Sequence, residues 1–232
     1  MAPIASFHLV RDRPGRQLAV LARLGTDRLR LPRVAGLRFW RLLGTGDGAN
    51  TGPGADLRRS ALFAVWDDES DLDRFLGEHP IARRWADADE VWSVRLRSAG
   101  GHGTWRGAPV LDMIEPGRAD GPLAVVTRAD VRAGSWRAFR AAGAPVSDEL
   151  QGADGLLAVV GIGEAPVGRL GTFSLWRSLD AARTYATRLP AHREVVRRTR
   201  TERWYGEELF ARFEPYASTG TWDGVDPLAP AR

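Results

Sequence analysis

One interval constrains this chain more than any other. The apolar run Phe7-His8-Leu9-Val10 ends in Arg11, and Ala124-Val125-Val126-Thr127 ends in Arg128, 117 residues further on. Gly103-Thr104-Trp105-Arg106-Gly107 and Gly220-Thr221-Trp222-Asp223-Gly224 stand 117 residues apart as well. Start and end therefore share one offset, and a chain that repeats itself in this way builds a small fold twice.

The match continues between these anchors. Gly36-Leu37 resembles Gly155-Leu156, each opening an apolar strand that reaches a Gly-x-Gly turn, Gly44-Thr45-Gly46 in one half and Gly161-Ile162-Gly163 in the other. Phe63-Ala64-Val65-Trp66 pairs with Phe173-Ser174-Leu175-Trp176, and Pro80 with Pro190, both 110 apart. The shorter spacing places about seven additional residues in the first half, which fits the polar, glycine-rich loop 47–56. Within each half the order is strand (5–11; 122–128), helix (15–28; 134–151), strand (36–43; 155–161), strand (59–66; 169–176), helical region (68–89; 178–204) and a last strand (90–97; 207–214). This is the βαββαβ order of a ferredoxin-like unit, four antiparallel strands with two helices on one face. The expected fold class is α+β: a tandem duplication into halves 1–107 and 118–228, whose two antiparallel sheets pack as a dimeric α/β-barrel-like body with helices outside.

Side chains alternate along a strand, so the third strand of each half has two distinguishable faces. Phe63, Val65, Phe173 and Leu175 are expected under the helices. Leu62, Ala64 and Trp66, with Thr172, Ser174 and Trp176, are expected on the opposite face. There the tryptophans either fill the core between the sheets or line a cavity for a large apolar ligand.

Composition closes several doors. The chain has no cysteine, which excludes disulfides, thiolate metal ligands, chain-held iron–sulfur clusters and covalently attached c-type haem. All 33 basic residues are arginines, interspersed with 29 acids, a distribution unlike the basic patch of a nucleic-acid binder. No apolar run reaches the roughly 18 residues of a membrane span and no signal peptide opens the chain, so the expected address is the cytoplasm. The glycine pairs lack the third glycine of a dinucleotide site, and no serine-hydrolase, zincin or P-loop motif occurs. Residues 227–232 read as a disordered tail.

Of the four histidines, His8 on the first strand, His79 before Pro80 and His102 in a glycine-rich linker read as structural or solvent-exposed. His192 differs. Pro190 starts a helix on which His192, Val195, Val196, Thr199 and Arg203 share the less polar stripe, and the first half has Ala82 at the matching place. An imidazole present in one copy only is either a satisfied core histidine or the axial ligand of a b-type haem, which needs an apolar slot and arginine partners for its propionates.

These residues carry a resemblance. The segments 38–46 (RFWRLLGTG), 61–67 (ALFAVWD), 161–166 (GIGEAP), 172–177 (TFSLWR), 190–193 (PAHR), 202–213 (ERWYGEELFARF) and 220–224 (GTWDG) together resemble the spheroidene monooxygenase family, over nearly the whole chain from Phe7 to Leu228. The resemblance implies a ferredoxin-dependent, haem-containing oxygenase that oxidises an acyclic carotenoid to a ketone. Carried onto this chain, it makes His192 the preferred iron ligand. The expected function is accordingly a haem b-dependent monooxygenase of an apolar small molecule, carotenoid-like or another secondary metabolite. His192 would hold the iron, Trp176 and Ser174 would line the pocket, and Arg188 or Arg197 would pair with a propionate. Ferredoxin or another electron donor is the expected protein partner, and the reading admits a homo-oligomer. The alternatives are peroxidase or dehydratase chemistry on the same scaffold, a haem-free carrier of an apolar ligand, and a cofactorless oxygenase.

Overall fold

The computed structural model describes residues 2–46, 48–49, 55–164, 168–188 and 190–229, and of Ala144, Ala191 and His192 it describes the backbone alone. The first half runs β1 (Ile4–Arg11), α1 (Gln17–Arg30), β2 (Leu37–Gly46), β3 (Ala55–Trp66), α2 (Glu69–Glu78), α3 (Pro80–Arg83) and β4 (Glu90–Gly103). The second runs β5 (Leu123–Val131), α4 (Trp136–Gln151), β6 (Leu156–Gly163), β7 (Arg169–Trp176), α5 (Leu179–Arg188), α6 (Pro190–Glu202) and β8 (Tyr205–Gly220). Both halves thus have the expected order, with each helical region divided at a proline. The residue before a proline is pushed out of the α region, so α2 ends at His79, whose backbone is extended and whose Nδ1 accepts a hydrogen bond from the Ile81 N–H at the start of α3. His79 is a helix cap. At the other end of α2, the Asp68 carboxylate accepts from the N–H groups of Ser70 and Asp71.

The strands close into one antiparallel barrel in the order β1-β3-β2-β6-β7-β5-β8-β4. The expected pair of stacked sheets is therefore corrected to two sheets joined edge to edge. Each half alone leaves β2 and β4, or β6 and β8, with unpaired edges, and pairing β2 with β6 and β4 with β8 removes them. The two Gly-x-Gly pairs are not turns but strand ends at that seam, where Gly44 lies directly opposite Gly163.

The face assignment is reversed as well. Phe63, Val65, Phe173 and Leu175 point into the barrel, while Leu62, Ala64, Trp66 and Trp176 lie outside it under the helices. Alternation separates two faces but does not say which is inside when both are apolar. An eight-stranded barrel is just wide enough for side chains to fill, and here both halves supply the filling. Phe7 stacks on Phe173 with centroids 3.9 Å apart, and Phe63 meets Phe213 at 5.7 Å.

Each barrel end is stoppered by a strap that one half sends to a strand of the other. The strap after β4 crosses to β8, where Glu207 accepts hydrogen bonds from Thr104 Oγ1 and the Gly107 N–H, each at 2.6 Å. The strap after β8 crosses to β4, where Glu90 accepts from Thr221 Oγ1 at 3.0 Å and the Gly224 N–H at 2.7 Å. Trp105 and Trp222 drop from these straps into the barrel and are almost fully buried. The turn that aims them needs left-handed backbone at two successive residues, Arg106 and Gly107 in one strap and Asp223 and Gly224 in the other, which explains the glycine in each motif.

Residues 227–229 correct the expected tail, since Leu228 packs against the barrel core, whereas residues 230–232 lie outside the described residues. In the expected loop 47–56, residues 47 and 50–54 also lie outside them, Ala49 is buried, and β3 has begun by Ala55.

Candidate functional site

Register makes the two helix-covered faces comparable residue by residue. Leu37 in β2 and Leu156 in β6 oppose Trp66 and Trp176 respectively, and a bulge follows each. Ala5 and Ala124 oppose Val65 and Leu175. The first two strands of each half therefore correspond at 119 residues, not 117, and only the last strand and the strap keep 117. A slip of two residues leaves every side chain on its own face, which is why the apolar pattern hid it. Arg128 consequently sits at the place of Leu9, inside the barrel, and Gly163 rather than Gly161 answers Gly44.

With that register, one transverse row of the first half reads Leu42, Leu62, His8, Ser93 across β2, β3, β1 and β4. It is sealed. Leu42, Leu62 and His8 are buried under α2, α3 and Trp85, whose ring lies 5.0 Å from the imidazole. His8 Nδ1 and Nε2 each lie 2.8 Å from a hydroxyl, those of Ser93 and Ser6. Burial, with Arg95 adding to it, holds the imidazole neutral and lowers its pKa to about 3. The cavity that remains nearby is about 40 Å³ and bordered by the pairs Asp12–Arg23 (2.9 Å) and Asp27–Arg84 (2.5 Å), room for water and little else.

The corresponding row of the second half reads Gly161, Thr172, Thr127, Phe210 across β6, β7, β5 and β8. Two leucines and a histidine have given way to a glycine and two threonines. Thr127, in the middle of a strand of a closed barrel, is exposed, and Thr172 and Phe210 are only half-buried. Gly161 is buried with its N–H donating to the Gly48 carbonyl at 2.7 Å, while solvent reaches the trough between these side chains at Thr127 and partly at Thr172 and Phe210. Beside it, Arg212 projects from β8 next to Val125, half-buried, with an Nε that is buried and has no hydrogen-bond partner. The helices over this half meet through aromatic rings, with Phe139 of α4 facing Trp204 and Tyr205 just beyond α6.

Trp176 and Ser174 come together at the closed end of the same face. Trp176 is buried against Tyr185 of α5, and its indole N–H donates to Ser174 Oγ at 2.9 Å. Arg188 and Arg197 do not join them: both are exposed, and Arg197 is bound to Glu194 at 2.6 Å on its own helix. His192 belongs to α6, and its side chain lies outside the described residues. His102 is exposed with its ring 5.7 Å from Phe210, at the edge of the trough. Reading the residues alone put Thr172 on the same face as Ser174 and Trp176 but missed Thr127, Gly161 and Arg212, although a repeat alignment at 119 would have shown the loss of side-chain volume.

The barrel end nearest the seam gathers a second set of polar groups. Arg128, buried in the interior, pairs with Glu207 and Asp130 and lies 3.7 Å from Glu164, which accepts the Trp105 indole N–H at 2.7 Å. Burial works against ionisation of Glu207, but Thr104, Gly107, Arg128 and Arg106 outweigh it and lower its pKa to about 2. This network holds the strap in place, although the Arg128 Nε within it is buried without a hydrogen-bond partner. Among the described residues no group of three or more His, Asp or Glu is placed to hold a metal ion, and no helix is long and apolar enough to cross a membrane.

A closed barrel of two ferredoxin-like halves, one sealed beneath its helices and the other partly uncovered, defines an α+β barrel protein. The fold is shared with solved structures of aldoxime dehydratase. One, in complex with butyraldoxime, gives a TM-score of 0.60 over 93% of this chain and 79% of that one at 10% identity. Another gives 0.57 over 92% and 81% at 11% identity. No family model matches the chain. The spheroidene monooxygenase of Rhodobacter capsulatus, however, is 31% identical over 98% of this chain and 96% of its own length. That of Rubrivivax gelatinosus is 35% identical over 82% and 73%, and that of Cereibacter sphaeroides 30% identical over 93% and 67%. The chain belongs to the spheroidene monooxygenase family and is an oxidoreductase.

Proposed function

We propose that this protein is a haem-dependent monooxygenase of an apolar small molecule, carotenoid-like or another secondary metabolite, with haem b seated in the trough of the second half. The observation that carries the reading is the exchange of Leu42, Leu62 and His8 for Gly161, Thr172 and Thr127 at matching register, which opens only one of two otherwise similar layers. The residues fit such a group: a floor of small side chains, aromatic rings between α4 and the end of α6, and a guanidinium with an unpaired buried nitrogen. His192 on α6 would ligate the iron. Arg212 is better placed than Arg188 or Arg197 to meet a propionate, because it borders the trough and Arg197 is already held by Glu194. When bound, haem supplies the redox-active iron at which oxygen is activated.

The chain's own residues do the rest. The helices and Phe210 exclude water from an apolar substrate, Thr127 and Thr172 offer hydroxyls that can donate or accept, and Trp176 with Ser174 bounds the far end. Ferredoxin or a comparable donor would supply electrons. Halves 1–107 and 118–228 are read as a tandem duplication in which one copy kept a solid core and the other acquired the site.

Titration of the purified protein with haem tests this. A strong Soret band that forms at one equivalent and is lost in His192→Ala supports the reading. Colourless protein that turns over substrate with oxygen assigns a cofactorless oxygenase, and colourless protein that only retains an apolar ligand assigns a carrier. A haem protein inactive with oxygen but active with peroxide or an aldoxime moves it to the peroxidase or dehydratase alternative.

A further inference from the structure

Helix α1 has two apolar faces, and the fold uses one. Val20 and Leu31 are buried and Leu24 is half-buried against the sheet of the first half. On the opposite side, Leu18, Leu21, Ala22, Gly25 and Leu29 follow one another around less than a third of the helix circumference at 100° per residue. Leu18 is 81% exposed, Leu29 70% and Leu21 48%. Leucines scattered singly over a surface need no explanation, but three on one stripe of one helix mark a contact surface.

The charge around the stripe has one sign. Between residues 12 and 33 the exposed charged side chains are Arg13, Arg16, Arg28, Arg30 and Arg33. The two acids of this stretch, Asp12 and Asp27, are buried and neutralised from within, by Arg23 at 2.9 Å and Arg84 at 2.5 Å. A solvent-facing apolar stripe with arginines at both ends and no exposed acid matches an anionic bilayer, where leucines enter the acyl boundary and guanidiniums meet phosphates.

We propose that α1 is a membrane-surface helix that docks the protein in-plane on anionic lipid. The proposal is independent of the reaction assigned above, because it rests on the first half and not on the trough of the second. An apolar substrate dissolved in the same bilayer would then be met at its source.

Co-sedimentation of the full chain with vesicles tests it. Binding is expected to vesicles of phosphatidylcholine with a quarter phosphatidylglycerol, to weaken with added salt, and to be far weaker on phosphatidylcholine alone. Leu18→Gln and Leu29→Gln should each reduce partitioning about ten-fold, and Arg13→Gln and Arg16→Gln about five-fold each. Leu57→Gln, at a leucine 46% exposed outside α1, should leave it unchanged. All these side chains face water, so circular dichroism and melting temperature should stay at the parent values, separating lost docking from lost folding. Equal binding to both vesicle types, or parent-like partitioning of the leucine variants, overturns the proposal. So does conversion of an oligomer to a monomer by Leu18→Gln with vesicle binding retained, which would assign the stripe to a second copy of the chain.

Discussion

In the first half the row Leu42, Leu62, His8, Ser93 is roofed by α2, α3 and Trp85; in the second, the row Gly161, Thr172, Thr127, Phe210 is buried only at Gly161 and exposed at Thr127. The register, the bulge after Leu37 or Leu156 and the strap recur in both halves, so at these rows the difference is one of side-chain volume and polarity at a few positions. The first row buries two leucines and the second forgoes that burial. Under the proposed function the two halves divide labour: one supplies rigidity and the other supplies space.

That contrast can be broken most forcefully by making the second row resemble the first. Thr127→Leu with Thr172→Leu should lower haem affinity about a thousand-fold, from roughly 2 kcal/mol of overpacking against the ligand at each site. Melting temperature should not fall. Spectrophotometric titration and thermal denaturation check the two halves of this statement, and unchanged haem affinity would remove the trough as the site.

The converse change belongs in the first half. Leu62→Ala should cost about 3 kcal/mol of stability, as for other fully buried leucines, while leaving haem affinity within two-fold of the parent. Urea unfolding and the same titration report it, and a large loss of affinity at equal folded fraction would contradict the division of labour.

The straps sharpen the comparison further. Glu207→Gln should destabilise by about 2 kcal/mol, because a carboxylate serving Thr104, Arg106, Gly107 and the buried Arg128 is replaced by an amide. Glu90→Gln should cost less, since its partners are Thr221, Gly224 and the half-buried Arg11. Equilibrium unfolding of the two variants gives the ranking.

Acid gives the smallest effect per step. His8, with no titratable counterpart at Thr127, is held at a pKa of about 3 against an ordinary 6.5, so the unfolded chain binds a proton that the folded chain refuses. Its contribution to stability is complete above pH 6.5 and declines by about 1 kcal/mol per pH unit as pH falls toward 3. Glu207 behaves likewise lower down, between its ordinary 4.5 and about 2. Stability measured from pH 7 to 4 in His8→Gln should lose most of the slope between 6.5 and 4.5.

Much of this architecture was legible in the residues. The order of elements followed from periodicity and from Pro80 and Pro190, and the repeated Gly-Thr-Trp-x-Gly motif marked two equivalent straps before their exchange was visible. A barrel-like body was expected, but its closure edge to edge was not legible, because pairing at Gly44 and Gly163 is a long-range choice that leaves no local trace. Phe63 and Trp66 were placed on the wrong sides since both stripes of β3 are apolar, and only the roof of helices decides between them. The trough was concealed by a two-residue slip that an alternating pattern tolerates without penalty. His192 rests on helix geometry and on resemblance to a family alone, its side chain lying outside the described residues, whereas the exposure of Thr127 and the position of Arg212 needed the third dimension.

The crossed straps carry one last consequence. Since each strap belongs to one half and is anchored on a strand of the other, neither half is a finished object, and cutting the chain between residues 108 and 122 would leave two pieces still pinned to each other by their straps. Such a molecule should unfold as a single unit, and neither half could be discarded without unpinning a strap of the one that stays.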